Sequence, residues 1–367
     1  MNIDSTFEGN ALVYCQNAYN TTNGKTAHGL VRFTRRYLVV GVIDAVYVGK
    51  DAGQVLDGIS NGIPIYADLS DALAKHPANK GNISHFVMGL APDGGRLSSF
   101  DRQAVKEALM AGLHVDIGLH DFLTEDVEMT ALAENNGCKI RDIRKPPSKE
   151  NLHFFSGKIE TVDAFKIAVL GTDSAVGKRT TAWLLVQALN AQGIKTEMIG
   201  TGQTAWLQGA RHGLVLDALV NDFVAGEIEH AVWSAWEENK PQIIVIEGQG
   251  SLMNPAYPGG FEIIAAARPD VLILQHAPAR KEYDGFPGYL LHPLPLQIQV
   301  LELLSGKPVV AVTVNHEKIS DEEIPHVCAA IENETGRPAY DPLKDSGKTL
   351  AEFIRRLLRK TSLQHIH

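Results

Sequence analysis

Only three cysteines, Cys15, Cys138 and Cys328, occur in the 367 residues. They are odd in number and far apart, so the chain offers neither a disulfide framework nor a C-x-x-C pair for metal or redox work. No apolar run approaches the roughly 20 residues that a membrane-spanning helix needs. The first residues, MNIDSTFEGN, lack the basic start and apolar stretch of a secretion leader, and a cytoplasmic protein is the expectation. Positive charge is in deficit, with 34 Lys and Arg against 43 Asp and Glu and a formal net charge of −9. That balance argues against general binding to nucleic acid or to anionic membranes, and leaves room for a local basic pocket. H-E-x-x-H is absent and no Ser-His-Asp order is built on a G-x-S-x-G elbow, so nucleophile-elbow or zinc hydrolysis has no support, and no metal is expected.

What is present is concentrated in Phe165–Thr181, FKIAVLGTDSAVGKRTT. The apolar run Ile167, Ala168, Val169 and Leu170 predicts a buried parallel strand. It breaks at Gly171 into a small-residue loop ending in Gly177-Lys178, and an apolar helical stretch follows from Trp183 to Leu189. Strand, glycine-bounded loop, lysine and helix make a phosphate cradle, because backbone N–H groups and a helix N-terminus face the anion and the lysine adds charge. The spacing departs from the common G-x-x-x-x-G-K-[ST]. Five residues separate Gly171 from Gly177, and Arg179 stands where a magnesium-binding hydroxyl is usual, with Thr180 and Thr181 one and two places later. An arginine there can itself neutralise phosphate. A shorter sequence, Gly24-Lys25-Thr26, has no glycine upstream at the right distance and opens no clear helix, so it reads as loop.

The chain is long enough for two domains with full cores, and both halves alternate strand and helix signals, which predicts α/β domains with parallel sheets. In the first half, strands are expected at Ala11–Cys15, Leu38–Ile43, Pro64–Tyr66, Ser84–Met88, His114–Ile117 and Lys139–Asp142. Helices are expected at Ala52–Leu56, Leu69–Lys75, Ser99–Ala111 and Asp126–Asn135. The long turn Gln16–Gly29 lacks G-x-G-x-x-G, which argues against a conventional dinucleotide site. Ile143–Ser156, with Pro146-Pro147, reads as a linker. The second half predicts strands at Lys166–Leu170, Lys195–Ile199, Ile243–Ile246, Val271–Leu274, Val309–Val314 and Pro338–Tyr340. Its helices are expected at Arg179–Gln192, Ala218–Glu237, Gly260–Ala266, Leu296–Leu304, Asp321–Asn333 and Leu350–Arg359. The expected organisation is a Rossmann-like domain over residues 1–157 and a P-loop NTPase-like domain over 158–367. Apolar strands in both make self-association an expectation as well.

Ile243–Leu252, IIVIEGQGSL, ends an apolar strand in Glu247 and adds glycines at 248 and 250. Ligands bind at the carboxyl ends of parallel strands, so Glu247 should face the Gly171–Lys178 loop, where it could ligate magnesium, orient water or take a proton from an amine. Gly200–Thr204, GTGQT, suits close backbone approach to a ligand, with Gly202, Gln203 and Thr204 as candidates. Arg211 and His212 follow. His276–Pro287, HAPARKEYDGFP, reads as a substrate loop with His276 and Arg280. Asn315, at the end of VTVN, could hydrogen-bond a purine edge. The helix expected from near Asp217 carries Asp222, Glu227 and Glu229, which read as a solvated face with Asp217 and Asp222 offsetting the helix dipole.

GTDSAVGK, VIEGQGSL and Asn315 together resemble dethiobiotin synthetase, from which Arg179 departs, since that enzyme has threonine after the lysine. Over nearly the whole chain the resemblance is closer to a two-domain family long catalogued without a function. It rests on GKTAHGLVRFT (Gly24–Thr34), VVGVIDAVYVGKDAG (Val39–Gly53), GTDSAVGKRTT, GTGQT, DALVNDFVAGEIE (Asp217–Glu229), IEGQGSL and YDPL (Tyr340–Leu343). The amino-terminal half, through GIPIYADLSDAL and Ala111–Asp126, also resembles the CoA-binding domain of succinyl-CoA synthetases, an analogy of fold alone.

Characterised members of that two-domain family are D-glutamate N-acetyltransferases that use acetyl-CoA, so the resemblance implies acyl transfer to an acidic amino acid in D-amino acid catabolism. It would assign the CoA phosphates to Gly171, Thr172, Asp173, Ser174, Ala175, Val176, Gly177, Lys178, Arg179, Thr180 and Thr181, with Asn315 beside them. Glu247 is the first expectation for the base, with His212 and His276 behind it. Loop amides in Gly200–Thr204, with Gly202, Gln203 and Thr204, or in Gly248–Gly250, with Gln249 between, would serve the substrate oxyanion. Arg211 and Arg280 would take its carboxylates. Two alternatives stay open: a ligase or kinase using ATP and magnesium, like dethiobiotin synthetase, and a protein that senses CoA or nucleotide without turnover.

Overall fold

The structure, a computed structural model, describes residues 7–77 and 81–364; most of the stretch MNIDSTFEGN, read for a secretion leader, lies outside them. The chain forms two compact units. The first comprises residues 1–146 with 203–209, and the second residues 147–202 with 210–367. Both are parallel α/β structures, as the alternation predicted.

In the first unit the elements are β1 (Gly9–Tyr14), α1 (Lys25–Arg32), β2 (Tyr37–Ile43), α2 (Ala52–Asp57), β3 (Ile65–Tyr66), α3 (Leu69–Lys75), β4 (Ile83–Met88), α4 (Ser99–Met110), β5 (His114–Ile117), α5 (Val127–Asn135) and β6 (Ile140–Asp142). The six strands run in the order β3-β2-β1-β4-β5-β6, all pairs parallel, which is the Rossmann arrangement. The three cysteines are free.

This unit has the Rossmann topology but spends the key acid on itself. A Rossmann fold that binds a dinucleotide holds the ribose with an acid after its second strand. Asp44 follows β2, is fully buried, and accepts four backbone N–H groups. Ala18 and Tyr19 donate to one oxygen at 3.1 and 3.0 Å, Val46 and Tyr47 to the other at 2.8 and 3.2 Å. Removing the carboxylate would strand those donors, each costing about 1–3 kcal/mol when buried. Asp44→Ala should therefore destabilise the first unit by roughly 3 kcal/mol or more, read as urea-dependent amide exchange in peptides from β1 and β2. Unchanged exchange there would show that water replaces the carboxylate.

The sequence around Gly24-Lys25-Thr26 corrects the reading of it as loop: it opens α1. Two turns with an internal glycine make a weak isolated helix. Tertiary contacts supply what propensity lacks. Thr26, Ala27, Leu30 and Val31 are buried, and the Gln208 carboxamide donates to the carbonyls of Gly29 and Phe33 at 2.8 and 2.9 Å. Gln208 lies 179 residues from Gly29 in sequence, so no local window could have shown it.

The second unit contains β7 (Phe165–Gly171), α6 (Lys178–Ala191) and β8 (Thr196–Gly200). The chain then contributes α7 (Gln203–Leu207) to the first unit. The second unit continues with β9 (His212–Gly213), α8 (Asn221–Asn239), β10 (Ile243–Glu247), α9 (Phe261–Ala267), β11 (Val271–His276), α10 (Leu294–Ser305), β12 (Val309–Val314), α11 (Ile324–Thr335), β13 (Ala339–Tyr340), α12 (Pro342–Asp345) and α13 (Lys348–Gln364). Its seven strands run β13-β12-β11-β7-β10-β8-β9, all parallel. β7 is central, with β10 on one side and β11 on the other. The register sets Glu247 beside Val169, two residues before the strand yields to the phosphate loop.

Of the acidic face expected on α8, Asp222 is exposed, but Glu227 is half-buried and Glu229 is not solvated. Glu229 is fully buried and accepts from the Ser156 amide and hydroxyl at 2.7 and 2.9 Å and the Ile159 amide at 3.1 Å. Burial works to raise its pKa, and these hydrogen bonds outweigh burial and hold it below the usual carboxylate range. Glu227 accepts from the His153 amide at 2.6 Å. A Cβ on Gly226 would stand 1.9 Å from the His153 carbonyl oxygen. The segment GEIE thus clamps residues 153–159 against α8. Asp217 sits in a separate short turn ahead of α8, and Asp222 alone lies in its first turn.

Candidate functional site

The phosphate loop is built around one lysine. β7 ends at Gly171, and Thr172 continues its pairing by donating its N–H to the Gln275 carbonyl at 3.0 Å. Ala175 and Gly177 take left-handed backbone conformations, φ 52° and 105°. They turn the chain into α6, whose first turn points N–H groups out of its N-terminus. A Cβ on Gly171 would stand 2.8 Å from Lys178 Cδ and 2.9 Å from its Nζ, so the lysine stem crosses directly over that glycine. Lys178 Nζ donates to the Asp173 and Gly250 carbonyls at 2.7 and 2.8 Å. Burial lowers its pKa to about 8, with Asp173 and Glu247 pulling it back up.

Glu247 is buried at the end of β10. Its Oε2 accepts the Thr201 amide at 2.9 Å, and its carbonyl accepts the Thr201 hydroxyl at 3.0 Å. Burial raises its pKa against the charges of Arg179 and Lys178 and the Thr201 hydrogen bond. The glycines that follow are required by close backbone packing. A Cβ on Gly248 would lie 2.4 Å from the Val169 carbonyl oxygen, and one on Gly250 would lie 2.0 Å from that of Tyr257. Gln249 donates to the Thr201 hydroxyl at 2.9 Å.

On the other side of β7, His276 ends β11 with Nδ1 3.0 Å from the Thr172 hydroxyl. Burial, helped by Lys281, lowers its pKa to about 4, so the imidazole is neutral near pH 7. Gln275 accepts on one carboxamide oxygen from the hydroxyls of Thr181 and Thr313, at 2.5 and 2.6 Å. Asn315 donates to the Val176 carbonyl at 3.0 Å and so secures the end of the phosphate loop. Arg280 joins Asp173 at 3.1 Å and Glu317 at 2.9 Å.

The fold therefore brings Glu247, Gly248, Gln249, Gly250, His276, Arg280 and Asn315 to the phosphate loop. It sends other expected residues elsewhere. Arg211 is exposed and pairs with Glu238 at 3.1 Å, and the buried His212 lies 3.7 Å from the same carboxylate in the last turn of α8. Burial lowers the His212 pKa. Gln203 and Thr204, read as a ligand loop, form α7 in the first unit, where the Thr204 hydroxyl lies 2.9 Å from that of Thr26. The turn expected there became a helix because Leu207 is buried in that unit's core and Trp206 packs against it.

Thr201, inside the expected Gly200–Thr204 loop, and two residues that the sequence reading did not single out, Gln275 and Asn254, complete the arrangement. Thr201 holds Glu247, Gln275 ties two hydroxyls, and Asn254 donates to Asp173 at 2.9 Å. Gln275 carried a signal, being a polar side chain inside the apolar strand VLILQH; Asn254 carried none. Among the described residues no group of three or more His, Cys, Asp or Glu is placed to hold a metal ion, and no helix is long and apolar enough to cross a membrane.

Comparison with known proteins joins both units to one family. Residues 153–351 match the domain of unknown function DUF1611_C, described as a P-loop domain. Residues 46–146 match DUF1611_N, described as a Rossmann-like domain. A D-glutamate N-acetyltransferase of Tritonibacter scottomollicae is 31% identical over 279 residues, 73% of this chain and 80% of the relative. Another from Pseudoalteromonas is 31% identical over 267 residues, 71% of this chain and 78% of the relative. A crystal structure of a DUF1611 family protein from Anabaena variabilis is 28% identical with a TM-score of 0.85, covering 95% of this chain and 99% of its own.

Proposed function

The chain belongs to the DUF1611 family, and we propose that it is an N-acetyltransferase moving the acetyl group of acetyl-CoA to the amine of D-glutamate. The observation that carries the reading is the likeness, over most of its length, to relatives bearing that name. The phosphate loop supports it. CoA presents a diphosphate and a ribose phosphate, anions suited to a helix N-terminus with Lys178 and Arg179 at its start. Arg179 stands where a metal-binding hydroxyl is usual, and the Thr181 hydroxyl is engaged with Gln275. A site that anchors phosphates without cleaving an anhydride suits both facts. Residues 171–181 would hold the CoA phosphates, with Asn315 bracing the loop.

In this reading Glu247 takes a proton from the acceptor ammonium. The nitrogen then attacks the thioester carbon, the new C–N bond forms, and the C–S bond breaks. The second nitrogen proton ends on the departing thiolate, so the products are the N-acetyl amino acid, CoA thiol and one proton released to solvent. A carboxylate whose pKa burial has raised suits that step better than an ordinary one. The Gly248 N–H is used on the Val169 carbonyl at 3.0 Å, which narrows the proposed oxyanion donors in this loop to the amides of Gln249 and Gly250.

The test is thiol release from acetyl-CoA without nucleotide, using D-glutamate, L-glutamate and no acceptor. Release with D-glutamate alone is the expected result. No release with any acidic amino acid, but ADP formation once ATP and magnesium are added, would replace this reading with the ligase.

A further inference from the structure

We propose that Asp173 is a positioning residue that ties the loops after β10 and β11 to the phosphate loop. Arg280 is then the strut of that junction and not the cation that grips an acceptor carboxylate. The Asp173 side chain is fully buried, and four donors reach it. Oδ1 accepts from the Ser174 amide at 2.6 Å and from Asn254 Nδ2 at 2.9 Å. Oδ2 accepts from Arg280 Nη1 at 3.1 Å and the Asp284 amide at 2.9 Å. The donors come from three separate loops, and both oxygens are taken up by protein.

Each partner extends the junction. Asn254 Oδ1 accepts the amides of Ala256 and Tyr257 at 2.9 and 2.8 Å. The Ser251 amide donates to the Tyr257 carbonyl at 3.1 Å, which folds the stretch after Gly250 back on itself. Gly250 is also the residue whose carbonyl receives Lys178. On the other side the Arg280 fork reaches the carbonyls of Ser174 at 2.8 Å and Ala175 at 3.4 Å, and Glu317 at 2.9 and 3.2 Å. The Glu317 amide donates to Asn315, which holds Val176. A guanidinium bridged between two carboxylates and two loop carbonyls has its fork committed, since one planar face of five N–H donors serves all of them. Breaking the junction at Asp173 should therefore loosen both flanking loops, and breaking it at Arg280 should loosen the same two.

The kinetic part of this inference rests on the acetyltransferase reading; the structural part does not, and the experiment keeps them apart. Amide exchange is followed in wild-type protein, Asp173→Asn, Arg280→Met and the double variant. Both single variants should speed exchange in peptides covering 250–260 and 277–292 by tenfold or more, with β7 and β10 unchanged. Exchange that rises only in the loop holding the substituted residue would overturn the proposal, whatever the activity. Turnover is then compared with D-glutamate and with D-glutamine, which lacks the side-chain carboxylate. A strut predicts a fall in kcat of at least tenfold with both acceptors, and a double variant within twofold of the worse single one. A rise in KM confined to D-glutamate in Arg280→Met would instead make Arg280 a carboxylate ligand. If the wild-type protein acetylates neither acceptor, the acetyltransferase reading fails while the exchange result still decides the junction.

Discussion

Glu247→Gln should lower kcat with D-glutamate by about 10²- to 10⁴-fold, the range typical of a lost general base, while CoA affinity stays within a few-fold. The amide is nearly isosteric and keeps an oxygen to accept the Thr201 amide, so the local fold should persist. What it loses is the capacity to bind a proton. The wild-type carboxylate must be ionised to act, and burial raises its pKa above the usual range. Activity should therefore fall as pH drops through that raised value, and this acidic limb should vanish in the variant. Glu247→Asp, which withdraws the carboxylate by one methylene, should fall between the two. The competing account makes Glu247 a structural partner of Lys178 and Arg179. Under that account the substitution damages CoA binding and spares kcat. Measuring both constants in one variant separates the two, and unchanged turnover would remove Glu247 as the base.

What the sequence displayed and what it hid divide along physical lines. The strand ends carrying Gly171 and Glu247 were legible because buried parallel strands read as apolar runs and because glycine and acid interrupt them at one end. A parallel sheet puts both carboxyl ends on one edge, and the direct pairing of β10 with β7 that sets them side by side is visible only in the structure. Other features depend on partners far away in the chain. α1 is capped by Gln208, and Glu229 is buried beneath a segment some 70 residues earlier in sequence. Neither the short helix nor the sinking of an acidic helix face leaves a local trace. GTGQT misled for a related reason. Its glycines suit a ligand loop, yet only Gly202 and the preceding Thr201 stay with Glu247, while Gln203 and Thr204 belong to the other unit. Arg211 and His212 looked usable because cations near a presumed site attract attention. Their shared partner, Glu238, stands in the last turn of a helix 19 residues long, and no spacing rule brings that carboxylate to them.

Lys178→Met should weaken CoA binding by about 10- to 150-fold, the equivalent of roughly 1.5–3 kcal/mol for one hydrogen bond to a charged group. The lysine is buried, so little solvent screens its interaction with an anion. The same burial brings its pKa down to about 8, which gives the wild-type protein a pH signature. The amine is protonated below that value and loses its proton as pH rises through it. Affinity should be flat below about pH 8 and decline above it, approaching tenfold per unit, until the value in the complex is reached. Titration calorimetry across pH 7 to 10 reads this directly, and the methionine variant should lose the decline. Gly171→Ala makes the test sharper because it leaves the amine in place. Its new methyl would stand within 3 Å of the lysine stem, so the ammonium must move from the carbonyls of Asp173 and Gly250. If position matters as much as charge, Gly171→Ala should weaken binding nearly as far as Lys178→Met. Full affinity in the alanine variant would mean that the lysine acts as a diffuse charge, and that the glycine at the mouth of the loop serves only the fold.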